Sequence, residues 1–382
     1  MFNFTTQLPL SLYIHIPWCV RKCPYCDFNS HQIRNELPEK DYIAALFADL
    51  EQDLPKVWGR SVRSIFIGGG TPSLFSPDAI DELLSGIRAR LPLIANAEIT
   101  LEANPGTVDS TRFVGFRQAG INRLSIGIQS FNDNALIKLG RIHGRSEAIT
   151  AIEAAKLAGF NSINLDLMFA LPAQSLEFAL KDLETAVSYH PDHISWYQLT
   201  IEQNTLFYHQ KPVHLPNDDL QWRMQTAGQL YLAEQGYQQY EISAYAKPRQ
   251  QCQHNLNYWK FGDYLGIGAG AHAKITDATG ITRLTKSRHP YNYIQNSQAN
   301  ISNITKLTPE ETSLEFMINA LRLLEGFTEQ DFIENTGLNI ARIKNTLEQA
   351  YTKGLLIKQN KRIYPTETGV RFLDDLLSLF VS

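Results

Sequence analysis

Between residues 11 and 200 the sequence alternates short β-rich apolar runs with longer amphipathic ones, and this alternation limits the available folds more than any other feature. Six strands are expected, over 11–17, 64–67, 98–102, 123–128, 162–168 and 193–199. The intervals carry helical patterns, for example at 40–53, 77–90, 146–158 and 175–189. Near-continuous apolar strands separated by amphipathic helices specify an α/β fold with a parallel sheet and right-handed crossovers. The pattern allows either a partial barrel or an open doubly wound sheet. Both gather their sites at the carboxyl ends of the strands. Polar residues and glycines collect there: Gly68-Gly69-Gly70 after the second strand, Asn104-Pro105-Gly106 after the third, Gln129-Ser130 after the fourth, and Thr200 after the sixth.

The first strand leads into a cysteine loop, Cys19-Val-Arg-Lys-Cys23-Pro-Tyr25-Cys26. Three thiolates on so short a loop can hold three irons of a cubane cluster and leave the fourth iron open to a non-protein ligand. A zinc site would want a fourth Cys or His. Cys252, the one other cysteine, lies more than 200 residues downstream, and His31 is the nearby histidine. A structural disulfide is weaker still, because nothing in the sequence suggests secretion.

After residue 215 the order of elements changes. A helix is expected over 218–235, a strand over 240–245, and a glycine-rich segment spans 266–272. From Thr308 helices are expected over 309–324, 328–336 and 339–353, then a hairpin over 355–364, a pattern that resembles a small winged helix-turn-helix module. The domains are read as a core over 1–215, an extension over 216–305 that completes the sheet, and a mainly helical appendage over 306–382. The appendage mixes acids with its bases, which favours a packing module over DNA binding. A formal charge of −4 over 382 residues argues against a broad nucleic-acid surface. No apolar stretch is long enough to span a membrane and the N-terminus does not read as a signal peptide. The expected location is the cytoplasm, with peripheral membrane association as the alternative.

The cysteine motif resembles that of the radical S-adenosylmethionine (SAM) superfamily, in which the open iron chelates the cofactor's amino and carboxylate groups. The glycine turn Gly68-Gly69-Gly70-Thr71-Pro72, Glu102, Gln129, Arg141 and Asp166 stand in register at successive strand ends. Together they resemble the oxygen-independent coproporphyrinogen III oxidase family, from Tyr13 to the C-terminal appendage. The resemblance implies a partial (β/α)6 barrel and a [4Fe-4S] cluster on Cys19, Cys23 and Cys26. It also implies SAM contacts at Tyr13, Tyr25, Gly69, Gly70, Thr71, Glu102, Gln129, Arg141, Asp166, Thr200 and His272.

Two departures bear on function. The oxidases carry a further cysteine where this chain has Phe28, and a longer segment before the cluster than the 18 residues found here. Both departures resemble the sister group, the heme chaperone HemW group, as does His254-Asn255-Leu256-Asn257-Tyr258-Trp259. A His can ligate heme iron, and Tyr and Trp offer flat apolar faces. The resemblance therefore implies that the chain binds heme and passes it to acceptor proteins, respiratory and membrane-associated ones among them, with an electron donor serving the cluster. His254, Tyr258 and Trp259 are the expected heme contacts, and His272 is a further candidate axial ligand; Cys252 could supply a thiolate, but it reads first as a small buried hydrophobe. The alternative reading is radical decarboxylation of coproporphyrinogen III, or another radical reaction on a porphyrin. A DNA-binding regulator ranks behind both.

Overall fold

The computed structural model describes residues 2–34, 36–296 and 300–381. Six strands form its parallel centre: β1 (Leu10–Ile16), β2 (Val62–Gly69), β3 (Leu93–Ala103), β4 (Arg123–Gln129), β5 (Ser162–Phe169) and β6 (His193–Gln198). Each pairs in parallel with the next. The unit does not close, because β1 and β6 each pair outward with other strands instead of with one another. Beyond β6 lie β7 (Gln238–Glu241) and β8 (Ala244–Ala246), with β8 antiparallel to β6. Beyond β1 lie β9 (Asp263–Ile267), β10 (His272–Asp277), β11 (Gly280–Lys286) and β12 (Ile301–Lys306). The 12-stranded order is β12-β11-β10-β9-β1-β2-β3-β4-β5-β6-β8-β7. Gly69 of β2, Ser125 of β4 and Tyr197 of β6 line one cavity, so the parallel part curls into the partial barrel that the family resemblance implies.

The strands read as near-continuous apolar runs because both their faces are covered. In β1 only Tyr13 is not fully buried. Helices Glu39–Asp53, Pro77–Arg88, Ser110–Ala119, Arg145–Leu157 and Leu176–Ser188 supply the outer cover. In Pro77–Arg88, Ile80, Leu83, Leu84 and Ile87 recur at helical spacing and are completely buried, each worth about 1.5–3 kcal/mol of burial. Ser76 caps this helix by accepting from the Ala79 N–H, and Pro77 opens it.

Buried charges tie the added strands to the barrel. Asp263 on β9 accepts from Lys274 at 3.0 Å and Arg60 at 2.9 Å. Lys286 on β11 reaches Asp49 at 2.5 Å and Asp53 at 2.7 Å, both on Glu39–Asp53.

Several boundaries differ from expectation. The single strand expected over 240–245 is two short strands, β7 and β8, joined by a tight turn at Ile242 and Ser243. The helix expected over 339–353 breaks at Ile343 into a 3-10 turn, Ile340–Arg342, and a helix, Lys344–Thr352. Helix Ser110–Ala119, in an interval whose helix was given no bounds, is fixed by an Asp109 cap and by Gly120 in the left-handed region at φ 110°. In the C-terminal region Phe316, Phe332, Leu347 and Ile363 share a separate buried cluster, against which Phe2 and Phe4 pack. No helix among the described residues is long and apolar enough to cross a membrane.

Candidate functional site

The cysteine loop is held at its base. Trp18 and Cys19 pair with His31 and Gln32 in a short parallel bridge. Trp18 packs edge-on to Tyr42 with ring centroids 4.7 Å apart. The glycine turn fastens to the same place: the Gly70 N–H donates to Ile16 O at 2.7 Å and the Thr71 N–H to Trp18 O at 2.7 Å. A side chain fits at neither glycine. Gly69 has φ +116° and its Cβ would lie 2.5 Å from the His15 ring; that of Gly70 would lie 2.5 Å from the Trp18 carbonyl oxygen.

Cys19, Cys23 and Cys26 all line a cavity of about 340 Å³ at the strand ends. Thr71 Oγ1 donates to Cys19 Sγ at 3.4 Å, and Arg141 Nη1 lies 3.7 Å from Cys23 Sγ. A tetrahedral zinc would draw its sulfurs to about 3.8 Å from one another. Among the described residues no three His, Cys, Asp or Glu side chains are grouped as a single-ion site. His31, the alternative zinc ligand, is absent from that wall.

Two carboxyls line the same cavity. Glu102 accepts from the Gly69 N–H at 3.0 Å. It borders the cavity but is enclosed by protein, and burial, reinforced by Asp166, pushes its pKa up to about 8. Burial also raises Asp166, against hydrogen bonds from Ser125 at 2.7 Å and Asn164 at 2.9 Å. Arg141 donates through Nη2 to Gly127 O at 2.7 Å, while its buried Nε has no partner. Gln129 follows a bulge in β4 and adopts φ 67°, turning off the strand so that its Oε1 accepts from Tyr197 OH at 2.9 Å. Three thiols and two buried carboxyls on one cavity fit a cluster carrying a ligand with cationic and hydroxyl groups. Tyr25, Gly70 and Thr71 line the same cavity.

A second cavity, of about 480 Å³, adjoins the first, and Phe28, Gly69 and Glu102 line both. Tyr13 faces this second space, together with Tyr258, Tyr264, His272 and Arg288. Tyr258 and Tyr264 meet edge-on at 4.4 Å. His272 is exposed at its rim; burial by its neighbours, Arg283 and Arg288 hold its imidazole below the usual histidine range.

Three candidate residues lie outside both cavities. His254 lines neither cavity: it is buried, with Nδ1 3.0 Å from Ser64 Oγ and Nε2 3.1 Å from Tyr258 OH, so both ring nitrogens are engaged. Cys252 is fully buried, lies 3.6 Å from Glu98 Oε1, and has its thiol pushed up to about 12 by burial. Thr200 is exposed and lines neither cavity. Trp259 does reach the first cavity, with Arg322 stacked 4.4 Å above its ring.

Sequence reasoning missed His15, Asn29, Tyr197 and Arg288. His15 lies on the same face of β1 as Tyr13, two residues on, and that spacing was the available signal. It binds Tyr13 OH at 2.9 Å and Asn29 O at 2.8 Å.

Residues 13–185 match the radical SAM superfamily and residues 307–372 the HemN C-terminal domain. Heme chaperone HemW of Escherichia coli (strain K12) is 53% identical, over 98% of each chain. The chain belongs to the HemW heme chaperone family. Heme chaperone HemW of Bacillus subtilis (strain 168) is 34% identical over 97% of this chain and 99% of its own. The mouse protein radical S-adenosyl methionine domain-containing protein 1, mitochondrial, is 33% identical over 96% and 86%. The solved structure of coproporphyrinogen III oxidase (HemN) from Escherichia coli superposes with a TM-score of 0.82 at 24% identity, covering 98% of this chain and 90% of that one. That likeness places the present chain in the radical SAM fold.

Proposed function

We propose that the chain is a heme carrier that holds a [4Fe-4S] cluster, binds SAM beside it, and delivers heme to acceptor heme proteins, respiratory and membrane-associated ones among them. The observation that carries this reading is the pair of adjoining cavities. One is walled by thiols and carboxyls, the other by aromatic faces with a histidine and an arginine at its rim, and Phe28, Gly69 and Glu102 stand between them.

In this reading Cys19, Cys23 and Cys26 hold the cluster. The Gly69–Gly70 backbone and Thr71 bound the cofactor from one side; Glu102 and Asp166 accept from its amino and hydroxyl groups, and Arg141 and Gln129 supply donors. Once bound, the cluster and SAM supply one-electron chemistry, with electrons from an external donor. Phe28 sets an apolar ring, 58% exposed, at the boundary of the two spaces, where the oxidases of the resembling family carry a thiol. His254 positions Tyr258 at the second cavity through the Nε2 contact.

The completeness of the first cavity favours a second reading, radical decarboxylation of coproporphyrinogen III. Anaerobic incubation with reductant, SAM and coproporphyrinogen III separates the two. The carrier reading expects no protoporphyrinogen and a one-to-one complex with added hemin. Protoporphyrinogen formed with matching methionine release would establish the enzyme instead.

A further inference from the structure

The second cavity discriminates among the side chains able to bind iron. His254 and Cys252 are buried and engaged, as described. His15 also borders the cavity, but both its ring nitrogens are taken, by Tyr13 OH and Asn29 O. His272 differs: it lines the cavity, is exposed, and its ring makes no hydrogen bond to the described residues. Arg288, also exposed, stands on the same rim. Its backbone is fixed there by Asn29 Nδ2, which donates to Arg288 O at 2.8 Å and to Ala269 O at 2.9 Å. The aromatic lining, Tyr13, Phe28, Tyr258 and Tyr264, suits a flat apolar ring system. The volume of about 480 Å³ lies within the roughly 300–1,000 Å³ of pockets that enclose ligands of this size.

We infer that heme is carried in this second cavity, with its iron bound by a ring nitrogen of His272 and a propionate paired with Arg288. The inference rests on the heme-carrier reading and assigns its site. Binding forms one iron–nitrogen bond and displaces the hydroxide or chloride held by free hemin; no electron is transferred. The site borders the cluster cavity through Phe28, Gly69 and Glu102, so cargo and cofactor share a wall.

The test is a hemin titration of the full chain, with absorbance difference spectra and electron paramagnetic resonance of the bound ferric iron. The wild type, His272→Ala, His272→Gln, His254→Gln and Arg288→Ala are compared. Both His272 variants should lose the nitrogen-ligand signature and bind at least tenfold more weakly, and added imidazole should restore the signature in His272→Ala. His254→Gln should keep the nitrogen-ligand signature, although loss of its hold on Tyr258 should weaken binding. Arg288→Ala should abolish a few-fold preference for hemin over its dimethyl ester, the scale of an exposed ion pair. If the wild type binds hemin one-to-one and the His272 variants give the same spectra and affinity, the site assignment is overturned and the carrier reading stands. If the wild type forms no stoichiometric complex, the carrier reading falls and takes the assignment with it. His272 is exposed, so its replacement leaves the core intact; should the Ala variant fail to fold, His272→Gln decides.

Discussion

Replacing Glu102 with Gln tests the charge logic of the first cavity. Burial, then repulsion from Asp166, lifts this carboxyl from the usual 4.5 to about 8, against a stabilising bond from the Gly69 N–H. At about 1.4 kcal/mol per pH unit, the displacement corresponds to at most about 5 kcal/mol, reduced by the carboxyl's opening onto the cavity. Because the folded-state pKa is raised, the folded chain holds a proton that the unfolded chain releases. Stability of the cofactor-free protein therefore falls as pH rises from about 4.5 to 8, then levels off. Glu102→Gln keeps an acceptor for Gly69 and removes that dependence. The cofactor-free variant should melt several degrees above wild type at pH 9, and the gap should shrink towards pH 5. SAM should behave oppositely. Its affinity for cluster-loaded wild type should rise between pH 6 and 8, and the variant should bind about 10- to 100-fold more weakly, the cost of one charge-assisted hydrogen bond. Thermal scans and anaerobic calorimetry across pH give both quantities. Parallel stability curves for the two proteins, together with equal SAM affinity, would refute the reasoning.

Three further outcomes follow from the geometry. Cys26→Ala should fold with near-wild-type cofactor-free stability but lose the cluster, read as iron and sulfide content after anaerobic reconstitution; a full complement of four irons would remove Cys26 from the ligand set. Gly70→Ala places a Cβ 2.5 Å from the Trp18 carbonyl oxygen, and shifting that backbone should cost about 1–3 kcal/mol and weaken SAM binding, measured by denaturant melts and calorimetry. At Asp263 burial would raise the pKa, but Lys274 and Arg60 outweigh it and hold the carboxylate below its usual range. Its stabilisation is thus present above the usual value of 3.8 and lost as pH falls through the lowered one. Asp263→Asn leaves two buried cations undercompensated and should destabilise by about 3–5 kcal/mol at pH 7; a loss below about 1 kcal/mol in a urea melt would contradict that account.

The parallel centre was legible because each of its strands is covered on both faces, which leaves a run such as Leu10–Ile16 apolar almost throughout. Singly each strand-end polar residue is more often a solvated or capping residue; it was their register at successive strand ends that marked Gly69, Glu102, Gln129 and Asp166 as lining one cavity. What escaped was set by partners distant in sequence. Nothing near His254 announces that Ser64, 190 residues away, occupies its Nδ1. Tyr13 is expected among the SAM contacts, yet it lines the second cavity, with Phe28 and Gly69 at the boundary between the two. Arg288 resembles any exposed arginine until Asn29, 259 residues earlier, is seen to fix its backbone at the cavity rim. The strand expected over 240–245 failed because Ile242 and Ser243 form a turn whose residues carry no glycine or proline to announce it.

The central claim, that this chain carries heme without changing it, is tested most directly by hand-over. The full chain with its cluster, loaded with one equivalent of hemin, is mixed anaerobically with an apo heme protein, and the separated proteins are analysed for heme by absorbance and mass. The account predicts that intact heme moves to the acceptor in an amount equal to that lost by the carrier. Heme that stays bound, or a porphyrin that arrives chemically altered, would contradict it.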